Sequence, residues 1–150
     1  MTTVFDVPAD MLLPRVATKL EADPKFEPPA WAKVAKTGVH REKAPHAPNW
    51  WQTRVASLLR RVYMQGPIGV AHLSQQYGGS KDRGSAPNRA RAGSGSIVRE
   101  SLQQLENAGY VAAIKGKGRI VTAKGRSLLD NAAHEAMGVL EQKIPEMKKY

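Results

Sequence analysis

The chain has 150 residues, no cysteine, and 23 Lys and Arg against 13 Asp and Glu, a formal net charge of +10. That length suits one domain, 1–150, with a real core. The lack of cysteine excludes a disulfide framework and a thiolate metal site, and the cationic excess points to a polyanionic partner.

No apolar run nears the roughly 18 to 20 residues of a spanning helix, so no membrane partner is expected. The opening MTTVFDVPADMLLP carries acids where a secretory signal is positively charged, which puts the expected location in the cytoplasm. His40, His46, His72 and His134 lack the close spacing of metal ligands, so neither metal nor cofactor is expected.

Along residues 8–21, Met11, Leu12, Val16 and Leu20 recur at helical spacing, and Asp23-Pro24 ends the run. Residues 26–48 are irregular and proline-rich, with a helical turn expected at 31–36 and Trp31 expected as an anchor on the core. A longer helix opens at Asn49, an acceptable N-cap, and continues to Gly66-Pro67. Wound at about 100° per residue, it puts Trp51, Val55, Leu58 and Val62 on one stripe and Arg54, Ser57, Arg60 and Arg61 on the other side. Residues 49–76 contain no acid to neutralise those arginines.

Residues 69–77 read as a short strand or turn leading into a short helix. The next stretch, YGGSKDRGSAPNRARAGSGS, contains no Val, Leu, Ile, Met or Phe. So little apolar surface cannot offset ordering entropy, so the basic loop 78–95 is expected to be mobile unless an outside partner orders it. Ser94 or Ser96 then caps a helix through SIVRESLQQLENAG, with Val98, Leu102 and Leu105 inward and Gly109 as its stop. YVAAIK and RIVTA read as a hairpin around Gly116-Lys117-Gly118. Thr122 caps a last helix with Leu128, Leu129, Ala132, Ala136, Met137 and Leu140 inward. It is limited by Pro145 and followed by the lysines of MKKY. The expected fold class is mostly α with a small β-hairpin: a winged helix-turn-helix core with extra N- and C-terminal helices.

No constellation for catalysis is present: no GxSxG, no phosphate-binding loop, and no carboxylate pair beside a histidine. Cation clusters are present. Lys81, Arg83, Arg89 and Arg91 stand against Asp82 alone in the loop, and Lys115, Lys117 and Arg119 surround the wing turn. Arginine forks match phosphate oxygens. The helix that reads the major groove in a winged-helix DNA-binding regulator here shows Arg99, Glu100, Gln103, Gln104, Glu106 and Asn107 outward, two acids against one base. Phosphates would repel those acids, so the helix suits a scaffold, and the loops and arginine face suit RNA. A regulator would also dimerise on a palindrome. The RNA-binding alternative expects a monomer when free.

PAWAKVAKTGVHREKAP, NWWQTRVASLLRRVYMQGPIGV, the YGG with its basic loop, GSIVRESLQQLENAGYV and GRIVTAKGRSLLD, in this order, resemble the small-subunit ribosomal protein nineteen family of the eukaryotic and archaeal "e" type. The resemblance runs from about residue 7 to residue 129, and the length and short loops look archaeal. It implies a winged-helix protein on small-subunit ribosomal RNA in the subunit head, beside neighbouring small-subunit ribosomal proteins, with a part in subunit assembly. It also implies RNA-facing roles for Arg54, Arg60 and Arg99. Family members often carry a histidine and an aromatic after the loop's proline and a second base beside Arg99. This chain has Asn88, Arg89 and Glu100, which weakens the case for stacking by the loop and leaves phosphate contact through Arg89.

Overall fold

A computed structural model describes residues 1–146, and its packing is organised around α2 (Trp50–Gln65). The stripe Trp51, Val55, Leu58 and Val62 is buried, as its spacing predicts, and Ala56 and Leu59 widen it. Helix α1 (Ala9–Glu21) lays Leu12, Val16, Ala17 and Leu20 into the same interior and packs against both α2 and α5 (Ala123–Lys143). Buried apolar residues from Val4 to Leu140 join in one cluster, so the terminal helices close over what the central helices leave open.

The Trp51 indole has no exposed surface. Its N–H donates to Gln104 Oε1 at 2.9 Å, and the Gln104 amide donates to the Glu27 carbonyl at 2.9 Å. A buried indole needs such an acceptor, and the glutamine that supplies it pins the irregular 22–48 segment to the fourth helix. Trp31 is not the core anchor its size predicts. It is 36% exposed and meets Trp51 edge-on, with ring centroids 5.7 Å apart. Phe26, 1% exposed, fills the interior from this segment instead.

The winged helix consists of α2, α3 (Val70–Gln76), α4 (Gly95–Asn107) and a hairpin, with α1 and α5 added at the ends. The short strand expected before α3 is reduced to one residue: Ile68 and Arg119 exchange backbone hydrogen bonds of 3.1 and 3.0 Å. That pairing requires glycine next to Arg119. Gly118 has φ +107, and a Cβ there would lie 2.5 Å from the Ile68 carbonyl oxygen. Ser94, not Ser96, caps α4, accepting from the Ile97 N–H at 3.4 Å, and Thr122 caps α5. Asn49 precedes α2 without capping it through its side chain.

Two hairpins are present where one is expected. In chain order the strands are β1 (Gly79–Arg83), β2 (Ala86–Arg91), β3 (Val111–Ile114) and β4 (Gly118–Val121). The β3–β4 pair is the wing. The β1–β2 pair replaces the irregular loop expected between α3 and α4, and the physical reason is backbone pairing. Its ladder satisfies N–H and C=O groups without apolar side chains. Its ends are also already held together: Gly93 N–H donates to the Ser74 carbonyl at 2.8 Å, Ser94 N–H to Thr37 at 2.9 Å, and Gly38 bridges Gly93. The C-terminal lysines of MKKY lie outside the described residues.

Candidate nucleic-acid interface

Register decides where the loop cations point. Lys81 lies opposite Arg89 and Gly79 opposite Arg91 across the antiparallel ladder, so Lys81, Arg89 and Arg91 share one face. Like charges directly opposite one another destabilise a strand pair. The nearby acid does not relieve them, because Asp82 Oδ1 accepts from the Gly84 N–H at 2.9 Å and shapes the turn. Toward the tip the register shifts between Lys81 and Arg83, near Pro87, which has no N–H for the ladder, and Arg83 donates to the Pro87 carbonyl at 3.2 Å. Arg83, Arg89 and Arg91 are exposed and Lys81 is half-buried. The hairpin is thus a cationic ribbon clamped at its base.

Tyr77 joins this ribbon to α2. The Arg54 guanidinium carbon lies 4.1 Å from the centre of the Tyr77 ring, and the Tyr77 hydroxyl is 2.6 Å from Ser57 Oγ. Arg54 is therefore not the free outward residue that helical winding predicts. Burial draws its pKa down, the Tyr77 phenol acts in the opposite sense, and nearby Arg41 lowers it further. The guanidinium still carries its proton at neutral pH. Arg60 and Arg61 are half-buried, and the Arg60 Nε is covered without a hydrogen-bond partner. Arg54, Arg60 and Arg61 thus lie half-buried along the flank of α2, each packing part of its side chain against the fold.

Arg99 opens α4 directly after the hairpin, exposed, with its guanidinium 3.5 Å from Ser96 Oγ. Lys115 and Lys117 are exposed on the wing, whose sheet shares no strand with the β1–β2 ribbon. Arg119 departs from expectation. It forms an ion pair with Glu106 at 3.2 Å, and the partners' side chains are 19% and 38% exposed. The alternation in RIVTA turns Arg119 back over α4, so it straps the wing down. On α4, Glu106 and Gln104 are thereby both occupied by internal contacts.

Some lining residues were not singled out by motif. A groove of about 920 Å³ opens beside α2, lined by Arg54, Ser57 and Tyr77 together with His40, Arg41 and Trp50. Its far side is the 37–47 segment, whose cations in HREKAPH were the available sequence signal. His40 fits tightly between two glycines: a Cβ on Gly38 or on Gly79 would come within 2.7 or 2.8 Å of its ring. No helix among the described residues is long and apolar enough to cross a membrane.

The family model for ribosomal protein S19e matches residues 3–138. The chain belongs to the ribosomal protein S19e family. Relatives named small ribosomal subunit protein eS19 include one from Aeropyrum pernix, 47% identical over 152 residues that cover 100% of this chain and 99% of the relative. Another from Haloarcula marismortui is 42% identical over 154 residues, covering 100% and 99%. A Schizosaccharomyces pombe relative, named eS19B, is 36% identical over 135 residues, covering 90% and 94%. The archaeal S19e relatives thus align with this chain end to end. As a member of a ribosomal protein family, the chain is a structural component rather than a known enzyme.

Proposed function

We propose that this S19e chain is one winged-helix ribosomal domain that binds small-subunit ribosomal RNA in the subunit head and supports assembly of that subunit. The observation that carries the proposal is the β1–β2 ribbon. Lys81, Arg89 and Arg91 gather on one face with no acid paired to them among the described residues, an arrangement that a polyanion relieves. Arg54, Arg60, Arg61 and Arg99 extend the surface from α2 to the start of α4, and Lys115 and Lys117 add a second contact on the wing. Arg119 supports the wing from behind. The free protein is a monomer in the cytoplasm, and on the ribosome it abuts neighbouring small-subunit proteins. The names borne by its relatives agree with this role.

A DNA-binding regulator would need a cationic recognition helix. Helix α4 instead has Glu106 engaged by Arg119 and Gln104 engaged by Trp51.

The test is equilibrium binding to a transcript of the small-subunit head RNA across a range of salt. Each phosphate contact contributes roughly 0.7 to 0.9 to the slope of log K against log salt. The triple variant Lys81→Ala, Arg89→Ala, Arg91→Ala should therefore lower the slope by about two to three. An unchanged slope would remove the ribbon from the interface.

A further inference from the structure

Arg54 is a cation held beside an open groove and joins no ion pair among the described residues. The ion pairs among the described residues join Lys19 to Glu135 and Arg119 to Glu106, and Glu42, which lines the groove, joins neither. Arg41 is exposed on the opposite side of the same groove and acts on Arg54 as a like charge. Two guanidinium groups facing one space attract an anion there.

The rest of the lining narrows the chemistry. Trp50 and Tyr77 bring aromatic surface, and Thr53 and Ser57 bring hydroxyls. A flat ring stacked on an aromatic side chain or a guanidinium plane, with a phosphate on a second arginine, is how proteins hold a base that has left its helix. The volume, about 920 Å³, falls in the range of sites that enclose a small organic ligand. An acidic peptide would use the arginines and leave the aromatic surface without a partner. The groove also adjoins the base of the cationic ribbon, since Gly79 begins β1 and lies against His40. A strand tracked by the ribbon would therefore run close to the groove.

From these contacts we infer that the groove between α2 and the 37–47 segment receives a single unpaired nucleotide extruded from the bound RNA, its base against the Arg54–Tyr77 pair and its phosphate on Arg41. The inference rests on the RNA-binding role proposed above and names what that surface reads. The ribbon and arginines attach to any backbone, while the groove distinguishes an interrupted helix from a continuous one.

The experiment uses the full chain and two RNA hairpins of equal length and charge, one fully paired and one with a single bulged aminopurine. The bulged RNA should bind about tenfold more tightly, and the fluorescence of its aminopurine should fall on binding. That ratio should drop toward one in Tyr77→Ala and in Arg41→Ala, and persist in Tyr77→Phe. Should Tyr77→Ala fail to fold, Arg41→Ala carries the test, since Arg41 is exposed. Equal affinity of the unsubstituted chain for both RNAs overturns the inference and leaves the RNA-binding role standing. A ratio untouched by both Tyr77→Ala and Arg41→Ala, or displacement of the bulged RNA by hexaglutamate at equal charge, also overturns it. Failure to bind either RNA would overturn the RNA-binding role together with it.

Discussion

Tyr63 donates its hydroxyl proton to Asp130 at 3.0 Å, linking α2 to α5. Burial raises its pKa, and the hydrogen bond and negative charge of Asp130 raise it further. Burial raises the pKa of Tyr110 as well. An acid whose pKa is raised on folding contributes fully below its unfolded value and loses that contribution as pH climbs through the folded value. The protein should therefore lose stability above about pH 10, where a free tyrosine ionises. Urea unfolding at successive alkaline pH values should show a smaller loss in Tyr63→Phe, which has no proton to release. Trp51 makes a larger contribution. Its removal in Trp51→Ala leaves a cavity and orphans Gln104, and should cost about 3 to 5 kcal/mol by denaturant titration. Arg54 combines both roles, because its stem packs and its head faces the groove. Arg54→Glu should lower the unfolding midpoint as well as abolish RNA binding, whereas Arg99→Glu, on an exposed site, should affect binding alone.

At the scale of elements, the hairpin β1–β2 trades stability for charge. Relieving the Lys81–Arg89 juxtaposition with Arg89→Thr should strengthen the strand pair by roughly 0.2 to 1 kcal/mol. Amide exchange within residues 79–91 of the free protein should slow accordingly while RNA affinity falls. This element also marks where the sequence was least legible. Helices α1, α2, α4 and α5 announce themselves because their apolar residues repeat with the helical period and end at Pro24, Gly66, Gly109 and Pro145. The ribbon has no such repeat. Its alternation, Lys81 with Arg83 and Arg89 with Arg91, is the period of a strand written in cations. Missing apolar surface does not preclude a ladder whose ends Thr37, Ser74 and Gly38 already hold. The Arg119 strap is hidden for a related reason: the wing's glycine turn looks exposed from sequence, yet Arg119 lies on β4 and pairs back with Glu106 in the last turn of α4, 13 residues earlier.

Across the whole molecule, charge and packing are assigned to different parts. Internal contacts use Glu106, Asp130 and Gln104, while the arginines of the ribbon, the lysines of the wing tip and Arg99 at the α4 start are exposed. The groove depends on segments remote in sequence, the 37–47 stretch and Tyr77, brought together by the tertiary fold, so no local motif could reveal it.

The clamp formed by Ser74, Thr37 and Gly38 has an engineering consequence. The exposed hairpin tip distal to it should accept rewriting without disturbing the folded body. A fluorophore or peptide epitope spliced between Gly84 and Ser85, both exposed, would ride outward on the ribbon. The same splice after Gly93 would prise apart the joint where three segments meet.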